Sequence, residues 1–320
     1  MKETIITSGR MNPGIDPVLH AWGWEIPIYL FLGGVVAGIL FFSAFYFIRG
    51  KSEQYRTTVK IAPIFVPIML AVGLLALFLD LTHKLYFWRL YTIIRWESPM
   101  SWGAWILMIV FPLSLIWVAT FIKDIFPKWD WKLPLVEKVV DRFKGYQRWI
   151  AWGLLITSLI LGMYTGILLS AFNARPFWNT AILGPLFLVS GLSTGTAFVM
   201  LISKSHEEKA KMGQIDLILI ATEIFLIIHM FMGFLASTEV QIHAAHMFLG
   251  GSYTAVFWTF VFVLGLIVPF ISEALELGGY NVPVAVPAAL VLIGGLILRF
   301  IVVDAGQASR WLYKFVEQLQ

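Results

Sequence analysis

The sequence predicts an all-α integral membrane protein, with eight transmembrane helices in two four-helix bundles. Composition, the length of the apolar runs and the placement of charge carry that prediction. Of the 320 residues, 59% are hydrophobic and 13% are charged, and the mean hydropathy is +0.82. Soluble domains run near about 45 to 50% apolar and about 25% charged, so a water-soluble fold could not hide this much apolar surface. The bilayer is therefore the solvent to reason from.

Crossing about 30 Å of hydrocarbon takes about 20 apolar residues in a helix. Runs of that length fall near 24 to 48, 61 to 83, 102 to 122, 149 to 171, 181 to 203, 215 to 237, 250 to 272 and 283 to 303. Each is apolar all round, and none shows the period-two alternation of a transmembrane barrel strand. Trp22, Trp24, Trp88, Trp96, Trp102, Trp149 and Trp178 crowd the ends, where an amphipathic ring suits the headgroup layer. Before the first run lies a polar segment, 1 to 23, with no short apolar core of a signal peptide. The first bundle is predicted over 24 to 171 and the second over 172 to 303, with a tail from 304 to 320.

Eight spans put both termini on one face, here face A, together with the loops around 84 to 101, 172 to 180 and 238 to 249. Face A holds nine Lys and Arg, Lys2, Arg10, Lys84, Arg89, Arg95, Arg175, Arg299, Arg310 and Lys314, and face B holds the other fourteen. The excess of positive charge makes face B cytoplasmic and both termini extracytoplasmic, in a cell inner membrane. The net charge of +4 thus speaks to topology and anionic lipid, not to nucleic acid. The stretch 123 to 148, with alternating charges and two prolines, reads as a solvated connection with an interfacial helix.

A weak internal repeat supports counting in fours. The first span carries Gly34 and Gly38 in LFLGGVVAG, and the fifth carries Gly191 and Gly195 in LFLVSGLSTG. Two halves related by an axis along the membrane normal would give this pattern, and glycines four apart let helices approach closely. Small residues at that spacing are also common in membrane helices.

There is no cysteine, which excludes a disulfide frame, a cysteine-ligated iron-sulfur cluster and a thiol nucleophile. Six histidines, of which His229 alone is clearly deep, do not supply the paired axial ligands of a membrane haem. Glu239, His243 and His246 have a spacing that could hold a metal, but three ligand types near a membrane surface are weak grounds, and no metal is expected.

Ionisable groups at membrane depth are costly and mark function by default. Helix alternation gathers Glu25, Asp80, His83 and Tyr164 at face A, with Asn173, Arg175 and Asn179 in the adjoining loop. Asp80 and His83, three apart, would share a helical face. A carboxylate beside an imidazole could exchange protons with a bound carbonyl or hydroxyl, or the pair could simply satisfy itself. Tyr164 alone reads as readily as an interfacial belt residue. In the sixth span Asp216 and Glu223 nearly share a face, and these two with His229 could form part of a proton route through the second half, with Glu223 and His229 as its candidates, or serve as polar glue between helices. Glu273 and Glu276, and Arg299 with Asp304, read as solvated helix ends.

Four strings carry a resemblance: WEIPIYLFLGGVVAG in the first span, SPMSWGAW entering the third, YTGILLSAFNARPFWNT leaving the fourth and PLFLVSGLSTG in the fifth. Together they resemble the NrfD/PsrC family of polysulfide-reductase-type membrane subunits. The resemblance implies a haemless, eight-helix, two-bundle anchor that reacts with menaquinone or another quinone towards the outer face. It also implies an extracytoplasmic iron-sulfur partner and, through it, a molybdopterin or other catalytic subunit. Tyr164 occupies the place of the family's quinone-contacting tyrosine, and the family's histidine near the start of the first span falls at Tyr29. That departure shifts the acid-base role to Asp80 and His83, with Tyr164, Tyr29 and Glu25 around the quinone and Arg175 and Asn179 shaping a partner-facing loop. Two other functions stay open, a proton-translocating or transporter module and a purely structural anchor.

Overall fold

A helix satisfies every backbone amide within itself, which is why apolar sequence of this length folds as helices once water is removed. The computed structural model describes residues 22–129, 134–280 and 282–310. The predicted N-terminal segment lies almost wholly outside the described residues, as do Lys2, Arg10 and Lys314. Eight helices are long and apolar enough to cross a membrane: Glu25–Ile48, Thr57–Asp80, Pro99–Ile125, Gln147–Ser170, Leu183–Ile202, His206–Leu235, Thr254–Leu277 and Ala285–Ala308. The chain is a multi-pass membrane protein. No strand occurs among the described residues.

The apolar windows located every span, but helices continue past the first charge that closes a window. The sixth begins at His206, where Ser205 accepts a hydrogen bond from the Glu208 amide and acidic Glu207 and Glu208 favour the positive helix start. The eighth runs to Ala308, so the predicted tail at 304 starts too early. The second instead stops at Asp80, with Leu81 extended.

The second and seventh spans also contain widened turns, at Thr57–Ile61 and Phe257–Ile267. They lie just ahead of Pro63 and Pro269, which have no amide proton to donate; a wider turn re-pairs the carbonyls that proline strands. The connection after the third span holds the helix Pro134–Lys144, tied back by Glu137 accepting from Lys123 Nζ.

The first and fifth spans sit centrally. The first packs on the second, fourth, fifth and eighth, and the fifth on the first, fourth, sixth and eighth. In each half the first helix touches the second and fourth, and the third touches the fourth. The halves also meet broadly, where Gly34 and Gly38 face Gly191 and Gly195. A Cβ on Gly38 would run into the Gly191 carbonyl oxygen and lie 2.8 Å from the Gly195 Cα. The glycine spacing read from the sequence is thus the crossing point of these two helices.

Hydrogen bonds pin both ends of the assembly. On face B the buried Glu208 carboxylate accepts from the Thr58 amide, the Thr58 hydroxyl and the Ser203 hydroxyl, joining the second span to the sixth. On face A the Trp22 backbone and the Gln307 side chain exchange two hydrogen bonds, at 2.9 and 3.0 Å, which fasten the first span to the eighth. Between the ends, the Trp117 indole donates to Ser43 and Ser43 donates to the Val59 carbonyl, linking three spans of the first half. Exposed apolar side chains such as Ile68, Ile156, Ile218, Phe225 and Met232 cover the outward faces of the outer spans, a surface suited to lipid.

Candidate functional site

At the face A end of the first half, two tyrosines meet. Tyr29, one turn into the first span, and Tyr164, in the last two turns of the fourth, are 4% and 6% exposed, and their phenol oxygens stand within interaction range of each other. Tyr164 is seated by Gly103 of the third span, since a Cβ there would overlap the phenol ring and its oxygen. The glycine of SPMSWGAW is therefore a tyrosine's seat. Tyr29 packs on Gly73 of the second span, so all four helices of the first half contribute to the pair.

Tyr91 joins them from the loop 81 to 98, close enough to act electrostatically on Tyr29. Burial raises its phenol above the ordinary value, which keeps it a neutral hydrogen-bond donor. Neither Tyr91 nor Gly103 was singled out from the sequence. An aromatic in a loop rich in Trp and Tyr reads as belt, and a lone glycine is uninformative without its neighbour.

A cavity of about 580 Å³ lies in the loop that carries Tyr91 and at the start of the third span, its wall including His83, Arg89, Leu90, Arg95 and Ser101. Leu90 and Ser101 are, respectively, next to Tyr91 and two residues from Gly103. The cavity wall thus carries an imidazole and two guanidiniums at the face A end of the first half.

Several expectations for this end need correction. Asp80 and His83 do not share a helical face: the helix stops at Asp80, and His83 is exposed at φ −113° and ψ 73°. Asp80, half-buried, instead feels the charge of Glu25. Arg175, expected to shape a partner-facing loop, does so from inside the fold. It is 6% exposed and donates through Nη1 to the Ser309 and Gln307 carbonyls, at 3.0 and 3.3 Å. Asn179 holds the loop through its backbone carbonyl, which accepts from Gln241. Trp178 is not a belt residue, being 2% exposed with its indole donating to the Val302 carbonyl. Glu239, His243 and His246 share the short helix Glu239–His246.

The second half holds a different constellation. Asp216, Glu223, Glu273 and Arg299 are 0%, 3%, 2% and 1% exposed. Glu273 and Arg299 are thus not solvated helix ends, because the seventh span runs on to Leu277 and the eighth to Ala308. Arg299 donates to the Ser190 hydroxyl at 2.7 Å and the Phe187 carbonyl at 3.2 Å, with its guanidinium 4.3 Å from the Phe187 ring centroid. Glu223 lies beside it, also near Ser190. His229 is absent from this group, turned outward with its ring against the Phe225 carbonyl of its own helix. Its spacing from Glu223 puts it off the 216, 220, 223, 227 stripe that faces the core.

Comparison with known proteins agrees with this architecture. The family profile described as "Polysulphide reductase, NrfD" matches residues 14–309. The protein is 33% identical over 307 residues to Protein NrfD of Escherichia coli, covering 90% of this sequence and 95% of the relative. It is 30% identical over 311 residues to the C chain of polysulfide reductase from Wolinella succinogenes, covering 89% and 94%. It is also 30% identical over 308 residues to the Protein NrfD homolog of Haemophilus influenzae, covering 90% and 95%. With eight spans, the two tyrosines at one end and this similarity along nearly its whole length, the chain belongs to the polysulphide reductase NrfD family.

Proposed function

We propose that this chain is the quinone-reactive membrane subunit of a respiratory oxidoreductase complex, exchanging two electrons with an extracytoplasmic iron-sulfur subunit. The observation that carries the reading is the buried Tyr29 and Tyr164 pair, seated on Gly103 at the same end of the first half as the cavity of the face A loop. Quinone chemistry moves electrons and protons together, and the chain has no cysteine to ligate a cluster, so the electrons need a neighbouring subunit. One relative is by its name a single lettered chain of polysulfide reductase, which supports a multi-subunit setting.

In this reading the chain's own residues hold the ring and handle protons. The phenol O–H of Tyr164 or Tyr29 donates to a quinone carbonyl oxygen, and Tyr91 is a further neutral donor. Apolar walls keep bulk water from the buried phenols. His83 at the cavity wall and Asp80 at the end of the second span act separately, each exchanging protons with face A water, and Glu25 adds negative charge beside Asp80. The electron partner docks on face A, so protons and electrons meet at one end of the first half. A catalytic subunit, carrying molybdopterin or another centre, would act through the iron-sulfur protein. The two four-helix halves then have separate tasks, with the quinone in the first.

The test is bound quinone and quinol-linked turnover in the native complex, comparing wild type with Tyr164→Phe and Tyr29→Phe. Turnover and quinone content falling together at unchanged subunit levels support the reading. Unaltered turnover in both variants would sink it and favour a structural anchor, whereas solute or proton flux persisting without the redox partner would favour a transporter.

A further inference from the structure

The buried acids of the second half form a row with one open end. At face B a cavity of about 570 Å³ is walled by Lys204, His206, Lys209, Glu276 and the turn after the seventh span. Glu276 is half-buried, with Oε1 shielded and unpartnered. One turn further in lies Glu273, and beside it Asp216 of the sixth span. Ser193 and Thr196 of the fifth span flank Asp216, and the row continues to Glu223, Ser190 and Arg299. The fifth-span hydroxyls at 190, 193 and 196 recur every three residues, a spacing that keeps them on one side of the helix and rises by about 4.5 Å per step.

The four carboxylate oxygens of Asp216 and Glu273, and Ser193 Oγ, are shielded from solvent with no well-formed hydrogen bond, although Ser193, Thr196 and Glu273 all stand near enough to Asp216 to interact with it. Two ionised carboxylates side by side in a sealed apolar interior would carry desolvation penalties of several kcal/mol each, with repulsion added. A proton shared between the two relieves both terms, since it neutralises one charge and supplies the donor that carboxylates lack. The charged groups facing the pair are Glu276 and Glu223, one on either side along the row, with Arg299 beyond Glu223 and Lys204, His206 and Lys209 at the mouth. No cation touches the pair among these. Arg299 is different, because it meets Glu223, Ser190 and Phe187 and so closes the row with a fixed positive charge. A proton arriving from face B can reach Glu223 but is repelled by the guanidinium beyond.

We propose that the second half carries a proton-loading path that opens on face B at Glu276, holds a proton shared by Asp216 and Glu273, and ends at the Glu223 and Arg299 pair. One proton leaves water at the mouth and the acid pair goes from two negative charges to one. No electron moves in this step. The proposal does not depend on the quinone reading, and a protonated carboxyl group can be seen without turnover.

The experiment is infrared spectroscopy of the full chain in lipid nanodiscs at neutral pH, with transfer from H2O to D2O. A protonated-carboxyl carbonyl band that shifts in D2O and disappears in both Asp216→Asn and Glu273→Gln is the expected result. Asp304→Asn, whose carboxylate meets Tyr253 at face A, leaves it in place. Glu276→Gln keeps the band but slows its exchange by about a hundredfold, the scale of a lost proton relay. Absence of the band in wild type, or its persistence in both pair variants, overturns the proposal. Should either pair variant fail to fold, Glu276→Gln still decides, because exchange at the wild-type rate rules out this entrance. A merely structural acid pair would show no dependence of exchange on Glu276.

Discussion

The two halves of the chain bury polar groups in opposite ways. At the face A end of the first half the buried ionisable groups are the neutral phenols of Tyr29 and Tyr164; within the second half they are carboxylates and a guanidinium. A phenol can be buried with little penalty because it carries no charge, so such a site can stand open to a hydrophobic ligand and change occupants. A buried carboxylate needs a cation or a proton. On the proposed function the contrast separates ligand chemistry from charge handling, and it predicts that substitutions at the two sites fail for different reasons.

The largest expected effect is on the buried guanidinium of Arg299, which acts electrostatically on Glu223. Arg299→Met leaves Glu223 without its cation and should destabilise the protein by about 3 to 5 kcal/mol, read as thermal unfolding in detergent. Glu223→Gln in the same molecule should recover much of the loss, a coupling expected of neighbours. If the double variant is as unstable as the single, Arg299 is held by Ser190 and Phe187 and the electrostatic half of the contrast fails.

Next comes the seam between the halves. Gly38→Ala drives a methyl group into the Gly191 carbonyl and should cost about 1 to 3 kcal/mol, the range for overpacking. Gly233→Ala, with nothing within 4 Å, should be neutral or stabilising. Equal effects would mean that the first and fifth spans are not locked at this crossing.

In the first half, activity should respond more than stability. Tyr164→Phe removes one hydroxyl, and a lost hydrogen bond of about 1.4 kcal/mol corresponds to about a tenfold fall in quinol-linked turnover. Gly103→Ala should imitate it without deleting any polar atom, by displacing the Tyr164 ring. An active Gly103→Ala enzyme would show that the ring's seat is not what matters.

How much of this could be read from the sequence depends on what apolar windows can see. Span number and the glycine crossing were legible, because bilayer thickness fixes length and close approach demands small residues. Span ends were not, and the errors were consequential. A window that closed at 303 left Arg299 one turn from face A, whereas the helix runs to Ala308 and puts it about 14 Å deep. A window that closed at 272 likewise set Glu273 in water. The reverse happened at Asp80, where the helix stops and His83 turns away, so a spacing argument had no helix to act on. Trp178 read as belt because aromatics do crowd membrane ends; its burial depends on the eighth span, more than a hundred residues on.

The smallest effect is the most direct test of the contrast on a single helix. Glu223 and His229 lie on the same span, and both are ionisable residues in an apolar stretch. Glu223 points into the row beside Arg299, while His229 faces outward and its ring nitrogen meets only the carbonyl of Phe225. A histidine so placed has one ring nitrogen, Nδ1, against a carbonyl of its own helix and its ring against an aromatic neighbour, 3.9 Å between centroids. His229→Ala should therefore change stability by no more than about 0.5 kcal/mol, as for other outward positions, and leave turnover and carboxyl-band exchange at wild-type values. A clear loss of proton exchange in His229→Ala would mean that the outward face of the sixth span, and not the Asp216 to Glu223 stripe, carries the protons.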